Sequence, residues 1–285
     1  MTIHPPPPES WIDTPVAPGP PDLIPGLLPR QGALLLTGET EVGKTLTALE
    51  IVHCVVTGEP LWGKITPTTI IGQVTYILGE HHDDILRALW LKQGFQVEGR
   101  RAVQIIGPQS RRPLVSRGDL MVGNRQAMIE WTAGSGLIVF DPLNAFATGS
   151  DVENDSAQMR ALINAMSDVA STHKAALLIL AHMGKPSFDQ KQGKYKHRET
   201  YASRGSSAIE DAVVACYYME KARGEAGVVF RLTRRKYKGE APDHYILKRD
   251  GLCQTLVAGG IMPSRLSAVR SEAGRLKGRP PKEGG

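Results

Sequence analysis

A chain of 285 residues with 41% hydrophobic and 22% charged side chains has the composition of an ordinary globular protein. That excludes a wholly disordered chain and leaves room for one large α/β domain or two small ones. Three scattered cysteines (Cys54, Cys216 and Cys253) with no Cys-x-x-Cys spacing argue against a disulfide framework or a zinc site, and for a reducing, cytoplasmic setting.

Residues 1–22 hold Pro5 to Pro8, Pro15, Pro18, Pro20 and Pro21, which cannot pack as helix or central strand. They read as an extended arm, either solvated or strapped onto a neighbouring subunit. There is no basic leader with an apolar segment and no run of about 18 apolar residues, so neither export nor a membrane span is expected. Gly32 to Gly38 is an apolar run that feeds a glycine-bounded loop, and Leu46 to Val56 follows with helical character. The loop, Gly38-Glu39-Thr40-Glu41-Val42-Gly43-Lys44-Thr45, has the G-x-x-x-x-G-K-T spacing. In such a loop backbone N–H groups turn inward around an anion. Lys44 brings a point charge to the β and γ phosphates, and the Thr45 hydroxyl is a ligand for Mg²⁺.

Downstream, Gly72 to Gly79 is a second strand that ends at Glu80, and Ile85 to Leu91 has helical spacing. Val103 to Ile106 is a short strand, Gly118 to Ala133 a helix, and Gly136 to Asp141 a continuous apolar strand closed by an acid. Asp155 to Ser171 is helical, and Ala175 to Ala181 is another buried strand, running into His182. Alternation of short apolar strands with helices predicts a parallel, doubly wound sheet. Ala212 to Met219, Val228 to Thr233 and Asp243 to Lys248 read as antiparallel additions to it. The expected organisation is an arm over 1–22, one domain over 23–262 and a flexible tail over 263–285. The tail carries most of the net charge of +5, because Arg265, Arg270, Arg275, Lys277, Arg279 and Lys282 face only Glu272 and Glu283.

In doubly wound sheets ligands sit at the carboxyl ends of the strands, where Lys44, Glu80, Asp141 and His182 all fall. Asp141 is suited to hold Mg²⁺ with Thr45, so the expected ligands are ATP and Mg²⁺. Glu80 is the leading candidate to orient an attacking water. Asp83 and Asp84 are its rivals, and the alternative for them is a charge at a helix N-terminus. His182 is either a γ-phosphate contact or a satisfied strand-end histidine. His81 and His82 lack partner ligands at metal spacing and read as solvated. Met183 to Ser203 is long, polar and basic, with Lys185, Lys191, Lys194, Lys196 and Arg198 either engaging phosphates or simply solvated.

The ordered set Gly38 to Thr45, Glu80 before Asp-Asp-Ile-Leu-Arg, Phe140-Asp141-Pro-Leu, Leu180-Ala-His182 and Ala202-Ser-Arg-Gly-Ser-Ser207 resembles the RecA-fold ATPases of the plasmid RepA helicase type, relatives of DnaB-type replicative helicases. The resemblance spans about residues 30 to 250. It implies a RecA-like P-loop NTPase fold and a homo-oligomeric ring, commonly a hexamer, with ATP between subunits and single-stranded DNA in the channel. It also implies Glu80 as catalytic glutamate, Asp141 as the Walker B acid, His182 as phosphate sensor, and Lys185 to Arg198 facing DNA.

One position departs from that pattern. Where the family carries an arginine finger, this chain has Val214. The candidates to supply a trans-acting cation are Arg204, Arg231, Arg234, Arg235, Lys236 and Lys238. In the tail, Lys277-Gly-Arg-Pro-Pro-Lys282 is similar to an AT-hook core.

Overall fold

Ala33-Leu-Leu-Leu-Thr-Gly38 has no charged residue along its length, and a segment apolar on both faces is stable only between two covering layers. A computed structural model shows it there, as the strand β1 (Ala33–Gly38). The structure describes residues 21–38, 40–80, 83–95, 102–107, 113–116, 119–148, 156–182, 188–189, 194–195, 206–224, 227–237 and 241–260.

The P-loop leads into α1 (Lys44–Thr57), then β2 (Gln73–Leu78), α2 (Asp83–Lys92) and β3 (Ala102–Ile106). Two-residue strands β4 (Val115–Ser116) and β5 (Asp119–Leu120) come before α3 (Val122–Trp131), β6 (Leu137–Asp141) and the short β7 (Ala147–Thr148). Next are α4 (Ser156–Thr172), β8 (Ala176–His182), a two-stranded ribbon of β9 (Phe188–Asp189) and β10 (Lys194–Tyr195), and α5 (Ser206–Asp211). A meander closes the chain: β11 (Ala215–Gly224), β12 (Gly227–Tyr237), β13 (His244–Asp250) and β14 (Cys253–Gly260).

The main sheet has nine strands in the order β14-β13-β12-β11-β1-β8-β6-β2-β3. Pairings from β11 to β3 are parallel, and those from β11 to β14 are antiparallel. This is the mostly parallel sheet with antiparallel C-terminal strands that the pattern predicts. Side chains alternate between two cores. Leu34, Leu36, Val74, Tyr76, Leu137, Val139, Leu178 and Leu180 pack with α1, the Leu23–Leu28 turn and the inner side chains of β13 and β14. Leu35, Ile77, Ile138, Phe140, Leu177 and Ile179 pack with α3 and α4. Each fully buried Leu, Ile or Val contributes roughly 1.5–3 kcal/mol against the chain entropy, so the central strands anchor the molecule.

Several boundaries differ from the sequence pattern. The expected helix from Gly118 starts at Val122, because Asp119 and Leu120 pair with β4 instead. The expected antiparallel strand from Ala212 starts at Ala215 and lies parallel to β1, joining its antiparallel partner only on the far side. A fourth meander strand, β14, has no counterpart in the expected elements. Within the expected long loop after His182, β9 and β10 pair as an antiparallel ribbon.

Candidate nucleotide-binding site

The carboxyl ends of β1, β8, β6 and β2 bring the predicted groups to one edge of the sheet. Gly38 of β1 is in register with His182 of β8, and Leu78 of β2 with Asp141 of β6. The loop after β1 turns sharply into α1. Gly43 caps that helix at φ 101°, ψ 28°, a left-handed conformation that an L-residue adopts only with strain. Among the described residues no side-chain hydrogen bond caps this N-terminus, and the positive end of the helix dipole points into the loop, where it favours an anion. Lys44 is 5% exposed, and its Nζ donates to the Gly38 carbonyl at 3.0 Å, which keeps the ammonium inside the loop.

Behind the loop, the Thr45 hydroxyl donates to Asp141 Oδ2 at 3.0 Å. The same oxygen accepts from the Tyr76 hydroxyl at 2.8 Å. Alternation along β6 turns Asp141 toward the α1 face, and alternation along β2 turns Tyr76 the same way, so the three meet across 96 residues of sequence. Burial, then the Asp141 charge, push the Tyr76 phenol well above its ordinary pKa, so it remains a donor. A threonine hydroxyl beside a 5%-exposed carboxylate is an oxygen donor set that fits Mg²⁺; Thr45 and Asp141 would hold it, and it would neutralise phosphate charge.

Glu80 and His182 face each other across the β6 strand end, with Oε2 and Nε2 4.0 Å apart. Their side chains are 43% and 34% exposed, so both are open to solvent and to a ligand. A carboxylate and an imidazole here are suited to orient a water and to contact a terminal phosphate.

Asp83 and Asp84 form the first turn of α2, where they complement the helix dipole. Arg234 is bound to Asp243 and to the Ala241 carbonyl. Arg235 Nε lies 3.6 Å from Glu210, and Lys236 donates to the Glu210 and Asp211 carbonyls at 2.8 and 3.0 Å. β12 runs antiparallel to β11, so Arg234, Arg235 and Lys236 lie toward the amino ends of the parallel strands, whereas Arg231 pairs with Glu220 beyond the level of Gly38. Lys194 lies in the β9–β10 ribbon. Glu39, His81, His82, Lys185, Lys191, Lys196, Arg198, Arg204 and Lys238 lie outside the described residues.

Residue-by-residue reading of the sequence missed two parts of the site. Tyr76 was findable, because alternation along Val74-Thr-Tyr-Ile-Leu78 puts it on the face of Asp141. The second is a buried polar network behind α1. There Glu50 accepts from the Gln254 backbone N–H at 2.5 Å and from Trp62 Nε1 at 3.0 Å, while Arg249 Nη2 donates to the Val42 carbonyl at 3.3 Å. Its members are 12 to 207 residues apart, and no local pattern joins them.

A phosphate loop between β1 and α1, with its acid on the next strand but one, defines the class: a RecA-fold P-loop NTPase with a nucleotide-binding loop. The chain belongs to the AAA domain family, which its residues 4–187 match. Three solved structures are similar in fold. One is an ATPase domain, 11% identical with a TM-score of 0.54, over 80% of this chain and 86% of that one. The flagellar accessory protein FlaH of Methanocaldococcus jannaschii is 9% identical with a TM-score of 0.52, over 80% and 89%. A KaiC-like protein of Pyrococcus horikoshii OT3 is 14% identical with a TM-score of 0.52, over 83% and 94%. No protein with a curated description matches the sequence. Among the described residues, no helix is long and apolar enough to cross a membrane.

Proposed function

We propose that this chain hydrolyses ATP as an oligomeric motor on single-stranded DNA, a replicative helicase of the RepA type. The observation that carries the reading is the strand-end set, with Thr45 and Asp141 joined at 3.0 Å and Glu80 facing His182 at 4.0 Å on the same edge of the sheet. In this reading Lys44 binds the β and γ phosphates, Glu80 orients the attacking water, and His182 contacts the γ-phosphate. The ordered motifs through Ala202 to Ser207, and the basic residues between Lys185 and Arg198, support DNA as the track.

A ring motor of this kind completes each site with a cation from the next subunit. Val214 is apolar and packs on Gly32, where an added Cβ would come within 2.4 Å of its Cγ2. Lys236 pairs with Cys216 on the neighbouring strand, two residues after Val214, and Arg235 precedes it. In the proposed ring the candidates for the finger's role are Arg204, Arg234, Arg235 and Lys236.

Val214 also favours a second reading, a nucleotide-gated switch that assembles on DNA or a protein without unwinding. Two assays separate them. In the motor reading, single-stranded DNA at low salt raises the ATPase rate of the wild type, Lys44→Ala abolishes that rate, and the pure protein with ATP separates a forked duplex. DNA stimulation without strand separation selects the switch. No stimulation at any DNA concentration overturns the DNA-motor reading.

A further inference from the structure

The P-loop is held not only by its own helix but also by a side chain from the far end of the chain. β13 and β14 end in a tight tip at Gly251-Leu252, and this tip is fixed from two sides. Gln93, just past α2, donates from Nε2 to the Leu252 carbonyl at 3.0 Å, and the Cys253 thiol points at the Gln93 carbonyl at 3.4 Å. On the α1 side, Glu50 accepts the Gln254 backbone N–H. With its amide oxygen turned toward Arg249, Gln254 accepts from Nη2 at 2.9 Å and donates to Glu50 Oε2 at 3.0 Å.

Arg249 projects from this rigid tip onto the phosphate loop. Its guanidinium carbon lies 3.8 Å above the Phe230 ring centre, a cation–π contact that holds its plane. Nη2 donates to the Val42 carbonyl at 3.3 Å. The fit against the next residue is close enough that a Cβ on Gly43 would stand 1.9 Å from Nη2 and 2.8 Å from Cζ. In a loop whose N–H groups converge on an anion, the carbonyls point outward, and a cation on an outward carbonyl polarises the adjoining N–H toward the anion.

We propose that Arg249 is a positioning residue, which clamps the P-loop from its carbonyl side through Val42 and Gly43 and so holds it in the shape that receives phosphate. The proposal rests on nucleotide binding at the P-loop. Its geometry meets the requirement that a supporting side chain be locked by its own neighbours, here Phe230 and the Glu50–Gln254 pair.

The test is a fluorescence titration of the full chain with the N-methylanthraniloyl derivative of ATP and Mg²⁺, on wild type, Arg249→Met and Arg249→Lys. Circular dichroism fixes a temperature at which all three are fully folded. The expected result is a roughly tenfold weaker affinity for Arg249→Met, the size of one charge-assisted hydrogen bond, and recovery to within about threefold for Arg249→Lys. Wild-type affinity in Arg249→Met overturns the proposal. Equal weakening in both variants overturns the assignment to the Val42 contact. A wild type that takes up no nucleotide overturns the P-loop reading itself, and the clamp with it.

Discussion

Glu50 makes the stability of this protein depend on pH in an unusual direction. The residue is 7% exposed on the inner face of α1, and burial pushes its carboxyl from the ordinary 4.5 up to about 7, against the lowering effect of the Gln254 and Trp62 hydrogen bonds and of Arg249. Between those two values the folded chain holds a proton that the unfolded chain has lost. Stability from this group is therefore fully present below pH 4.5 and is lost as the pH rises through 7. At about 1.4 kcal/mol per pH unit, the whole window corresponds to about 3 kcal/mol. Urea unfolding of wild type and Glu50→Gln at pH 5, 6, 7 and 8 isolates this contribution, because groups common to both cancel in the difference. The difference, wild type minus variant, is expected to fall by about 2 to 3 kcal/mol between pH 5 and pH 8, with little further change above. A difference that stays flat, or that rises with pH, would refute the account of a carboxyl held neutral by burial.

Three further outcomes follow from the same contacts. Tyr76→Phe removes a donor from Asp141 Oδ2 at a fully buried site; it is expected to cost about 1 kcal/mol in urea unfolding and to raise several-fold the Mg²⁺ concentration for half-maximal ATP hydrolysis. Arg234→Ala removes the guanidinium paired with the Asp243 carboxylate, whose side chain is only 8% exposed, at an expected cost of about 3 kcal/mol in the same unfolding assay. Arg235→Ala breaks a pair in which both side chains are about one-third exposed; it should cost less than about 1 kcal/mol and, in the proposed ring, lower ATP turnover, and unchanged turnover would remove Arg235 from the finger candidates.

The parallel half of the fold was legible because its strands are buried on both faces. Runs such as Leu34-Leu-Leu and Leu137-Ile-Val-Phe have few other places to lie, and their register brings the ends of β1, β8, β6 and β2 to one edge of the sheet. The meander was harder. Cys253-Gln-Thr-Leu-Val-Ala-Gly-Gly mixes exposed and buried positions: Val257 is 54% exposed, while Gln254 is 5% exposed because of a polar network rather than an apolar face. Helix α3 starts later than the pattern predicts, since Asp119 and Leu120 pair with β4, a strand of only two residues. Arg249 could not have been singled out. It is one cation among several in the meander, and its contact with the Val42 carbonyl joins positions 207 residues apart.

The strand β11 has both kinds of neighbour, parallel β1 on one side and antiparallel β12 on the other, and Met219 sits level with Gly38 and with Leu232. The junction between the P-loop strand and the meander is thus written in main-chain hydrogen bonds, which every residue except proline can supply. A displacement of the meander by a neighbouring molecule would reach the first residue of the phosphate loop through peptide groups alone. That linkage is indifferent to which side chains occupy the path, so descendants of this chain are free to exchange surface residues on β11 and β12 without severing it.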